Sequence, residues 1–318
     1  MFRHAVVAVV VAAVLVGVAL HGGAAAASAQ ARDGAKGAAL LAEARKALGG
    51  DERLQAVKAL DVRGDFRRAA GQMTLGGELQ IRVELPDKLR RDEDLSPPGG
   101  GPAIVRTEVL NGTTVWEENS GGGAFMTRFG RGDAARGAPG GGPGGGAGAG
   151  RRAAVDPARL EELQRTARQA DLARLTLAWL LTADGAVAWV GTAEAPDGKA
   201  DVLEVAPAIG PVLRLFLDAS TRMPLMITWQ GVAPQMFAAR GGGRGARGGD
   251  GPAGPDGPPR PDAPRETTLR MTLGDYKAVS GIRLPHLITR GADNTTIEQW
   301  TIDSYRINPS FRGDVFSR

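Results

Sequence analysis

Residues 76–86, GGELQIRVELP, alternate without a slip: Leu79, Ile81, Val83 and Leu85 fall on one side, Gln80, Arg82 and Glu84 on the other. A period of two with one apolar side is the pattern of a half-buried antiparallel strand. The pattern recurs in Leu213, Leu215 and Leu217 against Arg214 and Asp218, and in Leu225, Ile227 and Trp229 against Thr228 and Gln230. Leu269, Met271 and Leu273 against Arg270 and Thr272 repeat it. Turn signals separate these runs: Asn111-Gly112, Asp184-Gly185, Asp197-Gly198, Ser280-Gly281 and residues 218–224. Such short connections predict a sheet built from hairpins and meanders.

Two stretches have helical spacing instead. In GAALLAEARKALGG, Leu40, Leu41, Ala44 and Leu48 form one stripe, and Gly49-Gly50 is a stop signal. A short turn, ERLQAVKAL, then leads into the first strand. Further on, DPARLEELQRTARQADLARLTLAWLL offers Asp156 as N-cap, Pro157 at the first helical position, and Glu161 and Glu162 in the first turn. Leu160, Leu163, Ala167, Ala170 and Arg174 follow a helical stripe, whereas LTLAWLL is apolar all round and reads as buried on several sides.

The chain opens with Arg3 and His4, an unbroken apolar run at 5–20, and the small-residue stretch HGGAAAASAQA. These are the three regions of a secretory signal peptide, with cleavage after Ala29 or Ala31. The run is short for a membrane span, which takes about 20 apolar residues. The expected organisation is a leader at 1–29 and a single domain at 30–318, periplasmic and without a stable span after cleavage. With no cysteine in the 318 residues, disulfides, zinc-thiolate sites and cysteine nucleophiles are excluded, and there is no junction cysteine to acylate. Without Arg3, 38 Lys+Arg face 35 Asp+Glu, a balance too small for a nucleic-acid footprint.

Residues 130–152 and 240–264 hold 20 of the 47 glycines and no apolar side chain beyond alanine and proline. Neither can offset the entropy of its own ordering. They read as flexible insertions into the domain, tolerated because loop-closure entropy grows slowly with length. No aromatic interleaves their arginines, which argues against single-strand RNA binding.

The C-terminal third carries a motif series. DYKAVSGIRLP is followed by a strand bearing Trp300, Ile302, Tyr305 and Ile307, and then by INPSF and Phe316. Upstream lie EARKALGGDERLQAVKAL, VLNGTTVWEE and LFLDASTRMPLMITW. In this order they resemble the opening helix, the Asn-Gly-x-x-x-Trp hairpin, the strand–turn–strand unit and the closing meander of the outer-membrane lipoprotein-sorting, or lipoprotein-carrier (LolA/LolB-like), superfamily. The resemblance implies an α+β fold: a strongly curved antiparallel sheet of about ten strands, an unclosed half β-barrel wrapped over two or three helices. It also implies acyl chains of lipoproteins as ligands, held between sheet and helices.

On that reading the groove is lined by Leu79, Ile81, Val83, Trp116, Leu213, Leu215, Leu225, Ile227, Trp229, Met271, Leu273 and Trp300. A packed core uses the same residue types. His286 is the only histidine beyond the leader, and it follows Pro285 on a strand. It has no second histidine for a metal pair and no Gly-x-Ser-x-Gly elbow to serve. Glu117 and Glu118, as neighbours on a strand, point to opposite faces. No catalytic residue, metal or cofactor is therefore expected. The expected function is a non-enzymatic periplasmic carrier for lipid or acylated ligands. The alternative is an envelope sensor or scaffold of the same fold, with a self-filled core and a protein partner.

Overall fold

The computed structural model describes residues 32–70, 73–96, 103–121, 156–195, 198–232 and 266–318. The expected leader at 1–29 and both Gly-rich insertions, 130–152 and 240–264, lie outside the described residues. Helices α1 (Gly34–Leu48) and α2 (Asp51–Gln55) lead into β1 (Ala59–Ala70), β2 (Met73–Glu84), β3 (Lys88–Ser96), β4 (Ile104–Asn111) and β5 (Thr114–Ser120). Helix α3 (Pro157–Leu180) follows, then β6 (Ala186–Ala195), β7 (Gly198–Ala206), β8 (Leu213–Asp218) and β9 (Pro224–Val232). Strands β10 (Glu266–Val279), β11 (Ile282–Ala292) and β12 (Thr295–Ile307) complete the order.

All twelve strands, rather than about ten, form one antiparallel sheet in the order β5-β4-β3-β2-β1-β12-β11-β10-β9-β8-β7-β6. Strands consecutive in sequence are neighbours in the sheet except β5 and β6, which form its two edges, and β12 pairs with β1 as well as with β11 and so joins the two runs. Strands β5 and β6 end the sheet, so it is open. It is also strongly curved. Helix α3 touches β3, β4 and β5 on one side and β9 on the other. Six strand spacings separate β3 from β9, about 29 Å if flat at about 4.8 Å each, whereas a helix is only about 10–12 Å across. The sheet must wrap around the helix to meet both of its sides. One contiguous core fills the concave side, from Leu40 and Leu48 of α1 through Trp179 of α3 to Trp300 of β12.

Local chemistry fixes the details. Asp156 caps α3 by accepting a hydrogen bond from Ala158 N at 3.0 Å. The segment 175–181 is buried throughout, as its all-round apolarity requires. By contrast Leu160 and Leu163, expected on the helical stripe, are exposed, so only the later turns of α3 meet the sheet. At its C-terminus Leu181 takes a left-handed φ of 51°, and Arg45 of α1 donates to the Leu181 carbonyl at 2.9 and 3.2 Å. The free end of α3 is thereby tied to α1.

Helix α1 in turn covers the β6 edge. Asp33 and Trp189 exchange two backbone hydrogen bonds, and Gly37 lies so close that a Cβ there would sit 2.7 Å from Trp189 N. In β12, Trp300, Ile302 and Tyr305 all face inward, although 302 and 305 differ in parity. The bulge opposite Arg63 and Gly64 makes this possible. Asn308 then fastens the chain end: its Oδ1 accepts from Lys58 N and Ala59 N, and its Nδ2 donates to Ala56 O.

Candidate functional site

Ten of the twelve apolar residues expected at the groove line the concave face. Leu79, Ile81, Val83, Leu213, Leu215, Ile227, Trp229, Met271, Leu273 and Trp300 all belong to the buried core. Two are placed elsewhere. Leu225 is 40% exposed, because the register shift between Phe216 and Leu217 brings Pro224, not Leu225, opposite Leu217. The bulge breaks the alternation that placed Leu225 with Ile227. Trp116 lies directly across from Val109 while the core-facing pair is Val115 and Leu110, so its ring is on the convex face, with the Arg90 guanidinium 5.9 Å from its centroid.

His286 shares the concave side of β11 with Leu284 and Ile288 and is buried. Its Nδ1 lies 3.1 Å from the Leu284 carbonyl, and its ring meets Tyr305 edge-on at 5.2 Å. The Tyr305 hydroxyl donates to Pro285 O, and its ring packs edge-on against Trp179 at 6.2 Å. The histidine is part of the aromatic packing beneath α3.

Beside this apolar surface lies an ionic layer that the hydrophobic pattern does not announce. On β3 the inward positions read Leu89, Arg91, Glu93 and Leu95, so two charges point to the core side between two leucines. Arg68 on β1 bonds Glu93 at 2.7 Å and Glu298 on β12 at 2.6 Å. Arg91 pairs with Glu93 and, at 2.9 Å, with Glu298. Arg290 on β11 reaches Glu298 at 3.5 Å and Asp171 on α3 at 3.8 Å, and Asp171 also accepts from Arg174 at 2.6 Å. Arg168 of α3 meets Glu108 on β4 at 2.6 Å and Glu117 on β5 at 3.5 Å, and Arg106 joins both carboxylates. Glu117 is thus inside the layer and Glu118 on the opposite face, across from Thr107.

Electrostatics keep Glu298, Glu93 and Asp171 ionised. Burial alone would raise the Glu298 carboxyl, but Arg91, Arg290 and Arg68 outweigh it and hold it at about 2. Burial is likewise overcome at Glu93 by Arg91 and Arg68, and at Asp171 by Arg290 and Arg174, so both sit below the usual carboxylate range. Burial pushes the Arg174 guanidinium down, and Asp171 only partly restores it. The aromatic floor contributes too: Arg91 and Arg290 lie 4.8 and 5.5 Å from the Trp300 ring centroid, and Arg174 lies 4.7 Å from that of Trp229.

Between α3 and the sheet remains a cavity of about 20 Å³, lined on its apolar side by Ile81, Leu89, Leu175, Met271 and Trp300 and on its charged side by Arg91, Arg168, Arg290, Glu108 and Asp171. That is room for about one water molecule. The space is too narrow for an acyl chain as it stands. Its chemistry is divided between an apolar concave sheet and an ionic layer through which α3 is attached to that sheet.

No family model matches the chain, and no curated protein matches it. Among solved structures it is similar to a LolA superfamily protein from Nitrosomonas europaea, with a TM-score of 0.44 and 10% identity over 89% of this chain and 97% of that one. It is similar to a putative outer membrane lipoprotein-sorting protein domain from Vibrio parahaemolyticus, with a TM-score of 0.42 and 10% identity over 89% and 96%. A DUF1329 family protein from Desulfovibrio piger gives 0.41 and 9% over 90% and 98%.

Proposed function

We propose that the protein is an exported, non-enzymatic binding protein that takes lipid or acylated ligands into the space between α3 and the concave sheet. The observation that carries this reading is the ionic attachment of α3. An apolar helix–sheet contact resists separation because parting it exposes oil to water. Charges in such a contact gain little from being buried, since desolvation offsets most of their attraction, and they regain hydration when the surfaces part. Arg168, Asp171 and Arg174 therefore lower the cost of lifting the covering turns of α3. The sheet so uncovered offers Ile81, Met271 and Trp300. Burying a methylene is worth about 0.8 kcal/mol, so a chain of roughly 16 carbons gains on the order of 10 kcal/mol before ordering costs.

A second reading is favoured by the small cavity: a scaffold whose core is filled by its own side chains and whose partner is a protein of the envelope. Lipid extraction and mass spectrometry of the protein purified from its native envelope test the choice. Recovered acyl species support the carrier. A lipid-free protein that also fails to take up a fluorescent fatty acid leaves the scaffold.

A further inference from the structure

The ionic layer has a stoichiometry of its own. Arg68, Arg91, Arg174 and Arg290 are linked through Glu93, Glu298 and Asp171, Arg106 and Arg168 are linked through Glu108 and Glu117, and a 4.0 Å contact between Arg168 and Asp171 joins the two groups into one set. Six guanidinium groups against five carboxylates leave a net charge of +1. Arginine does not deprotonate in proteins, so the excess persists at neutral pH. Arg106 and Glu117 lie at the solvent edge of the set, with 36% and 29% of their side chains accessible, whereas Arg91 lies deep within it, and buried charge that is incompletely paired is costly.

The excess is also directed. Arg91, Arg168 and Arg290 line the same cavity, with Glu108 and Asp171 on their flank. The Arg91 and Arg174 Nε atoms are buried without a hydrogen-bond partner among the described residues, as is Glu93 Oε2. The rest of the lining is apolar, so one small space presents donors on one side and hydrocarbon on the other. An ion alone would use only the first, and an uncharged acyl anchor only the second.

We infer that the arginines of this cavity receive the carboxylate or phosphate head of one anionic amphiphile, whose chain lies on the apolar concave face beside Trp300. The inference rests on the opening of α3 proposed above, because the cavity as it stands admits no group larger than a water. Charge-assisted hydrogen bonds from guanidinium to an oxyanion are the strong kind, and an uncharged chain of equal length forgoes them.

The test compares three ligands that share one hydrocarbon chain, hexadecanoic acid, hexadecanol and hexadecylamine, as competitors of a bound fluorescent probe on the intact protein. The acid is expected to bind roughly ten- to a hundredfold tighter than the alcohol, with the amine weakest. Equal affinity of acid and alcohol overturns the inference and leaves the carrier reading standing. Failure of the probe and of all three to bind overturns both. Inorganic phosphate serves as the free-anion arm: if phosphate alone displaces the probe at millimolar concentration, the site is one for a small anion and the head-group assignment falls. In a folded Arg290→Gln protein the acid-to-alcohol ratio should shrink toward one; an unchanged ratio removes the arginines from the explanation.

Discussion

Arg168 on α3 and Glu108 on β4 face each other at 2.6 Å, and this pair joins the covering helix to the far side of the sheet. Arg168 also touches Glu117 at 3.5 Å and Asp171 at 4.0 Å, so it is the point at which the helix is held to β4 and β5. What happens to this contact decides whether the concave face stays covered.

Replacing Glu108 by Gln should leave buried arginine charge undercompensated and destabilise the protein by about 1–3 kcal/mol. The backbone amides of the later turns of α3 should exchange faster with deuterium, while those of β1 and β2 stay protected. The double substitution Glu108→Leu with Arg168→Leu should restore or exceed the original stability, since apolar residues replace a desolvated pair. It should also slow fatty-acid uptake, because the attachment becomes permanent. Hydrogen exchange and stopped-flow probe binding on the same proteins check both halves.

Acid should loosen the same layer. Glu298 is held at about 2 in the folded protein against an ordinary value of 4.5. A carboxyl depressed by folding stabilises the native state above its unfolded pKa, and that contribution is lost as pH falls through the folded value. Glu93 and Asp171 shift in the same direction. Melting temperature should therefore hold steady from neutral pH down to about 4.5 and fall between there and about 2. In Glu298→Gln the fall over that window should be shallower; an equally steep profile would place the acid sensitivity elsewhere.

Volume added to the concave face distinguishes a groove from a filled core. Leu215 and Ile227 are fully buried in the core away from the cavity, and Trp at either should cost roughly 1–3 kcal/mol through overpacking. Met271 borders the cavity, so Met271→Trp should be the mildest of the three and should reduce probe uptake most. Melting curves and binding isotherms of the three variants measure it. Equal, large destabilisation at all three, with no probe binding in the parent, would favour the scaffold.

Gly37→Ala offers the helix up to about 1 kcal/mol in propensity, yet the new methyl would meet the β6 backbone within 3 Å. The contact should win, with a net loss of about 1–3 kcal/mol visible as a lower melting temperature. His286→Ala should lose its edge contact with Tyr305 and its Nδ1 contact with the Leu284 carbonyl, a cost of about 1–3 kcal/mol, and fatty-acid uptake should be unchanged.

The readable parts of the sequence were those where one rule acted alone. Strand β2 and residues 269–273 of β10 alternate cleanly, and Asp156-Pro157 announces α3. Leu225 misled because one bulge beside Pro224 resets the parity of its strand, and a bulge leaves no mark in hydropathy. Trp116 misled because its face depends on which side of the β4–β5 hairpin is inward. The ionic layer escaped for a deeper reason: Arg91 and Glu93 look like solvated charges on a polar segment, and Glu298, the partner of Arg91, lies 207 residues away in sequence. Two leucines flanking them at the same parity, and Arg174 on the helical stripe with Ala170, were the available hints. Only the register of β12 between β1 and β11 brings those charges together.

That position of β12 has a consequence for how the molecule is made. The chain delivers β1 to β5 early and β6 to β11 later, as two meanders with no hydrogen bond between their sheets until Thr295–Ile307 arrives to join them. Until then β1 and β11 are open edges, and Phe66 and Ile288 lack the tryptophan that lies between them. A chain stopped before residue 295 would leave two separate sheets, held together by helix contacts alone, rather than a shortened version of the whole. The sheet becomes continuous only when the last of its strands is made.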